Sequence, residues 1–323
     1  MLDLILSRIR ERGPLTVAAF MDLALYHPAL GYYSRAPRRS GRGGDFVTSV
    51  DLGPLFGRLL ARQVADMAAS LDPADSPFTL LEAGASDGRL SRAMLDGLAA
   101  DAPDVAARVR PHLAEHSPEA RLAQPMTLGH LASHAVCTAG LPDTFTGVLI
   151  ANELLDAMPV HRVVMRSDGL REVYVATDAG RLVAVEGPPS TEALETYLRE
   201  SGVTLGHGDV ADLPLAASAW VRETCARLTR GFALFIDYGH LAPRLFGPAQ
   251  QAPGGLRAAS LLGRRGVLVG RLGQRRLGLL ATGHRTRRAD HTHAAFLVLF
   301  GSGRLLHLRL GRPGQACRQG RVH

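Results

Sequence analysis

The chain has 323 residues, enough for one large domain or two small ones, and its 46% hydrophobic and 21% charged residues are typical of a globular protein. Three well-separated cysteines (Cys137, Cys225, Cys317) argue against a disulfide framework or zinc knuckle, and no apolar run nears the roughly 18 residues of a membrane span. The net charge of +7 hides a division: lysine is absent, residues 1–245 carry 23 arginines against 29 acids, and residues 246–323 carry 14 arginines against Asp290 alone. The opening "MLDLILSRIRERG" has too short an apolar run for a signal peptide, so a cytoplasmic protein is expected.

Residues 1–27 carry apolar positions at helical spacing, and the Gly-, Pro- and Arg-rich stretch 27–46 reads as a long exposed loop. A helix follows, with Ser49 or Asp51 as its cap, Pro54 in its first turn and Leu55, Leu59, Leu60, Val64 and Met67 as its apolar face. Strand and helix then alternate: a strand over 78–84, a helix over 88–100, a strand over 111–117, a helix opening at "SPEARLAQPM" and a buried strand over 146–153. The stretch 161–187 predicts three antiparallel strands turning at "SDG" and "DAG". Helices near 191–200 and 214–229 and a strand over 231–239 complete the pattern. The alternation points to an α/β fold with a parallel sheet and an antiparallel meander inserted into it.

Between the first strand and its helix lies "LLEAGASDGRL" (80–90). A dinucleotide fold wants G-x-G-x-x-G, with backbone N–H groups and a helix N-terminus facing a pyrophosphate. Here Gly84, Ser86 and Gly88 fall at every second position, flanked by Glu82 and Asp87, whose charges repel a pyrophosphate. S-adenosylmethionine (SAM) carries a sulfonium, an ammonium, a carboxylate and a ribose diol but no phosphate, and suits acids beside the loop better than NAD. Glu115 lies 31 residues beyond Gly84, where its carboxylate can accept ribose hydroxyls; a dinucleotide fingerprint places that acid about 20 residues on.

With "GGDFVTSVDLGPLFGRLLA" (43–61), "AEHSPEARLAQ" (114–124), "ANELLDAMPVHR" (151–162) and "FIDYG" (235–239), that loop resembles, in order, the motifs of the MidA-like SAM-dependent methyltransferases, over roughly residues 10–258. The family includes mitochondrial complex I assembly enzymes that act on a protein arginine. The resemblance implies a Rossmann-like class I methyltransferase sheet with an N-terminal helical cap. It implies that Gly84, Ser86 and Gly88 form the SAM loop, with Glu82 and Asp87 beside it, and that Glu115 is the ribose ligand. The family usually has glycine where Ser86 stands. Asp45, Phe46 and Thr48 belong, on this resemblance, to a segment closing over the cofactor. The domain plan is a cap and covering loop over 1–75, a SAM-binding core over 76–245 and an Arg/Gly-rich tail over 246–323.

Methyl transfer is an in-line displacement, so alignment supplies most of the catalysis. "ANELLDAMPV" follows a buried strand at the carboxyl end of the sheet, where such sites lie. Glu153, with Asp156 and Asn152, can orient a guanidinium, whose charge persists at ordinary pH. From the residues alone, a reading in which Asn152 caps a short helix and Glu153 is a solvated first-turn acid stands level with this one; the resemblance favours the catalytic reading. Asp237 and Tyr238 end a sheet strand and are read as lining the substrate cleft; simple packing is the less favoured alternative for Tyr238. The loop "GYY" (31–33) either covers the site or anchors to the domain. No histidine has metal-ligand companions at a useful spacing, and no metal is expected.

After "GGLRA" (254–258) the resemblance ends in arginine-rich sequence without clear periodicity. A change of reading frame is the favoured explanation; the alternative is a genuine tail for RNA or a membrane surface, and a nucleic-acid partner follows only in that case. If the tail is an artefact, the last sheet strand is expected to present an exposed edge. The function expected is SAM-dependent methyl transfer to a protein arginine, with a respiratory complex I subunit as candidate substrate. A non-catalytic assembly factor keeping the fold, and less favoured an NAD-dependent oxidoreductase, are the competing readings.

Overall fold

The computed structural model describes residues 1–35, 50, 53–71, 76–238 and 294–300. The N-terminal segment forms α1 (Leu2–Arg12), the two-residue strand β1 (Leu15–Thr16), α2 (Val17–Tyr26) and α3 (Tyr32–Arg35). There follow α4 (Leu55–Ala68), β2 (Phe78–Ala83), α5 (Arg89–Asp101), α6 (Pro103–Arg108), β3 (Val109–Ala114), α7 (Pro118–Leu128), β4 (Val136–Thr138) and β5 (Phe145–Asn152). A 3-10 turn, Leu155–Ala157, leads to β6 (His161–Arg166), β7 (Gly169–Asp178), β8 (Arg181–Gly187), α8 (Ala193–Glu200), β9 (Val210–Leu213), α9 (Leu215–Arg227), β10 (Leu228–Tyr238) and β11 (Ala294–Phe300).

The central sheet has the order β11-β10-β5-β2-β3-β4. Its strands from β10 to β4 run parallel, and β11 is antiparallel to β10. Helices cover both faces, which is why β2 and β5 are apolar runs rather than alternating ones. On one face Leu80, Val148 and Ile150 pack with Leu60, Val64, Met94 and Leu98 of α4 and α5. On the other, Leu81, Leu149 and Phe235 pack under Ala217 and Val221 of α9. Strand order reverses between β2 and β5, so the crevice beyond their carboxyl ends is where a ligand sits in an open α/β sheet. The glycine loop and "ANELLD" leave the sheet at that crevice.

The expected face of α4 needs correction. Leu55 and Leu59 are 68% and 51% exposed, whereas Gly57, Leu60, Ala61, Val64, Met67 and Ala68 are buried. Close helix approach decides it: a Cβ on Gly57 would stand 2.4 Å from that of Ala93 in α5, so the small residues, not those two leucines, face the neighbour. Pro54 takes the N-cap position, and Ser49 and Asp51 lie outside the described residues.

The expected meander is β6, β7 and β8, and it belongs to a larger second sheet. Strand β9 pairs with β6, and β1 pairs with β7, joining Leu15 and Thr16 to Val175 and Tyr174. On that surface α2 buries Val17, Met21 and Leu25 against Val160, Val173 and Val175. The meander is therefore the seat of the N-terminal helices.

Other boundaries differ locally. The strand expected to reach 117 ends at Ala114, because Ser117 turns to cap α7, its Oγ accepting the Ala120 N–H at 3.4 Å. Within the stretch expected as loop, α3 forms and Tyr33 stacks on Tyr26 at 5.3 Å. The free edge of β10 expected from an artefactual tail is not observed: Phe232–Tyr238 pair with Ala294–Phe300. Among the described residues, no helix is long and apolar enough to cross a membrane.

Candidate active site at the β2–β5 crevice

Two turns form the crevice. The first leaves β2 at Gly84, which adopts φ +72°; a Cβ there would stand 2.9 Å from Cδ1 of Leu154 in the opposite turn. Glycine at this point lets the two turns approach. Ser86 is also left-handed, at φ +49°, a region that costs an L-residue about 1–2 kcal/mol. It is held from both sides. Its N–H donates to Glu115 Oε2 at 2.9 Å, and its carbonyl accepts from Gln124 Nε2 at 2.8 Å. Glu115 Oε1 accepts the Ser117 N–H at 2.7 Å, so this carboxylate ties the loop to the end of β3. Asp87 pairs with Arg89 Nε at 3.0 Å, which moderates the negative charge at the helix entrance.

Glu82, at the end of β2, is only 4% exposed and accepts a short hydrogen bond from Ser91 Oγ. Burial pushes its carboxyl up to about 8, against the Ser91 bond that lowers it and with Asp87 and Glu115 adding to the rise. Glu82 is therefore mostly neutral at pH 7.

The second turn leaves β5 at Asn152. Glu153 is left-handed at φ +50°, and its N–H donates to the Ile236 carbonyl at 2.7 Å. Asp237 Oδ2 accepts the Leu155 and Asp156 N–H groups at 2.8 and 3.2 Å. From above, Tyr26 OH donates to the Ala157 carbonyl at 2.8 Å, and burial raises this phenol out of the titrating range. Asp237 thus supplies the capping that the sequence had offered to Asn152. Asn152 Oδ1 is left buried without a hydrogen-bond partner among the described residues.

The turns open on a cavity of about 950 Å³. It takes in Glu82, Gly84, Ser86, Asp87, Glu115, Asn152, Glu153 and Asp156 of the expected site. Seven carboxyl side chains line it against two arginines, Arg89 and Arg227. Asp237, expected at the cleft, holds the 153–157 turn through Oδ2, which accepts two N–H groups that need an acceptor. Gly88, at φ +86°, opens α5 behind the loop. Asp45, Phe46, Thr48 and the Tyr238 side chain lie outside the described residues.

Sequence reasoning missed Asp22, Tyr26, Trp220 and Glu223, which also face the cavity. Asp22 and Tyr26 stand four apart on α2, and Trp220 and Glu223 three apart on α9, spacings that put each pair on one helix face. Nothing in sequence spacing indicates that the second sheet brings α2 to this crevice. Among the described residues, no group of three potential metal ligands occurs.

The chain matches, over residues 59–260, the family model described as "Putative S-adenosyl-L-methionine-dependent methyltransferase". It is 30% identical to the zebrafish (Danio rerio) mitochondrial protein arginine methyltransferase NDUFAF7 over 269 residues, 72% of this chain and 60% of that protein. Against the human (Homo sapiens) protein of the same name, identity is 30% over 274 residues, 74% of this chain and 59% of the relative. The chain thus spans about three fifths of the length of these relatives. Among solved structures, a COG1565 superfamily member and likely methyl transferase from Burkholderia thailandensis, bound to S-adenosyl-homocysteine, is similar with a TM-score of 0.68 and 34% identity. That likeness covers 77% of this chain and 65% of the other.

Proposed function

Because the chain belongs to this family of S-adenosyl-L-methionine-dependent methyltransferases, we propose that its crevice binds SAM and directs the methyl group to an arginine guanidinium of a protein substrate. The observation that carries the reading is the cavity of about 950 Å³ beyond the carboxyl ends of β2 and β5, bounded by the Gly84 turn and lined by seven carboxyl side chains. The two candidate ligands, SAM and a guanidinium, are both cationic and rich in N–H groups.

The residues present fit the cofactor. Gly84 lets the two turns close together, and Gly84, Ala85 and Ser86 of the loop line the cavity. Each Glu115 oxygen accepts one backbone N–H and keeps a lone pair for a ribose hydroxyl. When bound, SAM supplies an electrophilic methyl group on sulfur. Glu153 and Asp156 align the guanidinium, with the aromatic rings of Tyr26 and Tyr33 offering flat apolar surface beside them. The Glu153 carboxylate would accept the proton that a guanidinium nitrogen gives up on methylation. The substrate class rests on the arginine methyltransferases among the relatives together with this acidic lining.

Calorimetric titration with SAM and with NAD, followed by transfer of labelled methyl groups into a cell lysate, tests the proposal. Binding of SAM with label recovered as methylarginine supports it. SAM binding without transfer points to a non-catalytic assembly factor, and binding of NAD instead overturns the reading.

A further inference from the structure

We infer that Gln124 is a positioning residue for the cofactor loop, a latch that holds Ser86 in the left-handed conformation its side chain disfavours. The inference rests on the SAM reading of the crevice. Gln124 ends the stretch 114–124, where the resemblance gives it no role, and is fully buried on α7. Its Nε2 donates to the Ser86 carbonyl at 2.8 Å, across 38 residues of sequence. Its Oε1, in the same buried place, has no partner among the described residues.

The two halves of the amide argue together. A side chain kept only for packing would be apolar here, since an unpaired buried carbonyl is destabilising. Retaining it makes sense for the N–H that meets Ser86. The position needs such a donor because Ser86 lacks the freedom of glycine at φ +49°. Twisted left-handed, Ser86 points its N–H at Glu115 and its carbonyl inward toward α7. Without the Gln124 donor that carbonyl loses its protein partner, the serine relaxes toward ordinary φ, and the N–H leaves Glu115. The loop and the proposed ribose ligand then lose their common alignment. The latch sits close behind the loop: a Cβ on Gly88 would lie 3.5 Å from Gln124 Cγ.

A double-mutant cycle on the full chain tests this, with S-adenosylhomocysteine as titrant and thermal unfolding as the second readout. Gln124→Leu removes both the donor and the orphaned acceptor, and Gln124→Met repeats the test with a more adaptable side chain. Each is expected to weaken S-adenosylhomocysteine binding by about tenfold, the worth of one hydrogen bond, while thermal stability holds or rises. In the Ser86→Gly background, where the left-handed turn needs no latch, the same substitutions are expected to weaken binding by less than about threefold. Equal losses in both backgrounds, or no loss in a folded Gln124 variant, overturn the latch and leave the cofactor reading standing. If the wild-type chain binds neither SAM nor S-adenosylhomocysteine, the reading of the crevice fails and the latch with it.

Discussion

The turns 84–88 and 153–157 solve one problem in two ways. Each holds a non-glycine residue left-handed, Ser86 at φ +49° and Glu153 at φ +50°, and each faces the same cavity. At the first turn both bonds fall on the peptide groups of Ser86 itself, from Glu115 and Gln124. At the second, one bond fixes the N–H of Glu153, and Asp237 and Tyr26 grip the residues after it. Ala179, at the β7–β8 hairpin tip, supplies the contrast. It is left-handed too, at φ +46°, but beside Gly180 in an exposed turn where strand twist favours that geometry. Left-handed backbone at a hairpin tip follows from local turn geometry. At the crevice it is imposed by partners 29 to 131 residues away, which is expected where strain aims functional groups. The difference assigns tasks: loosening the first turn should spoil binding, and loosening the second should spoil turnover.

The largest effect should come from Glu153→Ala. Methyl transfer is expected to fall by about a hundredfold or more, as when a positioned acid–base group is removed, with S-adenosylhomocysteine binding largely spared. Wild-type turnover by that variant would end the division of labour. Next, Asp237→Ala leaves the Leu155 and Asp156 N–H groups without their acceptor. A loss of about 1–3 kcal/mol from these charge-assisted bonds should appear as a tenfold or greater fall in kcat with the cofactor constant unchanged. An equal weakening of cofactor binding would show that the two turns act as one unit.

Glu82 sharpens the comparison from beneath the first turn. Its carboxyl, raised from an ordinary 4.5 to about 8 by burial, is protonated in the folded chain while the unfolded chain has already lost the proton. Its contribution to stability is therefore full below about pH 4.5, declines as pH rises toward 8, and is gone above it. The decline is on the order of a few kcal/mol. Glu82→Gln should flatten that slope in urea denaturation measured from pH 5 to 9. A slope unchanged by the substitution would place the titrating group elsewhere.

Sequence pattern carried much of the fold. The apolar runs of β2 and β5, the meander turns and the order of strands and helices are local signals, and each appears close to its expected place. The α4 face failed because which helix stripe is buried depends on the Gly57–Ala93 approach, a property of the partner helix. Strands β1 and β9 escaped because two to four residues carry too little periodicity. At the site, loop chemistry singled out the Gly84–Gly88 turn and Glu115, which the fold brings to one crevice, since glycine spacing and acid placement are written along the chain. Asp237 was read as lining the cleft because a carboxylate at a strand end looks alike whether it faces ligand or caps a neighbouring turn. Gln124 and Tyr26 act over 38 and 131 residues of sequence, a range at which only the folded chain identifies partners.

The smallest expected effect is the most discriminating. Ser86→Gly removes the cost of a left-handed L-residue, about 1–2 kcal/mol, but lengthens the list of unfolded conformations, which takes back about 0.5–1 kcal/mol. A net gain of up to about 1.5 kcal/mol in urea denaturation should result, with transfer activity retained. Glu153→Gly relieves the same backbone strain at the other turn and should stabilise the chain by a similar amount, yet abolish transfer. The pair separates what the backbone needs from what the chemistry needs. If Glu153→Gly keeps its activity, the carboxylate is dispensable and the second turn is only a scaffold. If Ser86→Gly destabilises the chain, the serine hydroxyl makes a contact that the backbone argument omits, and the likeness between the turns is superficial.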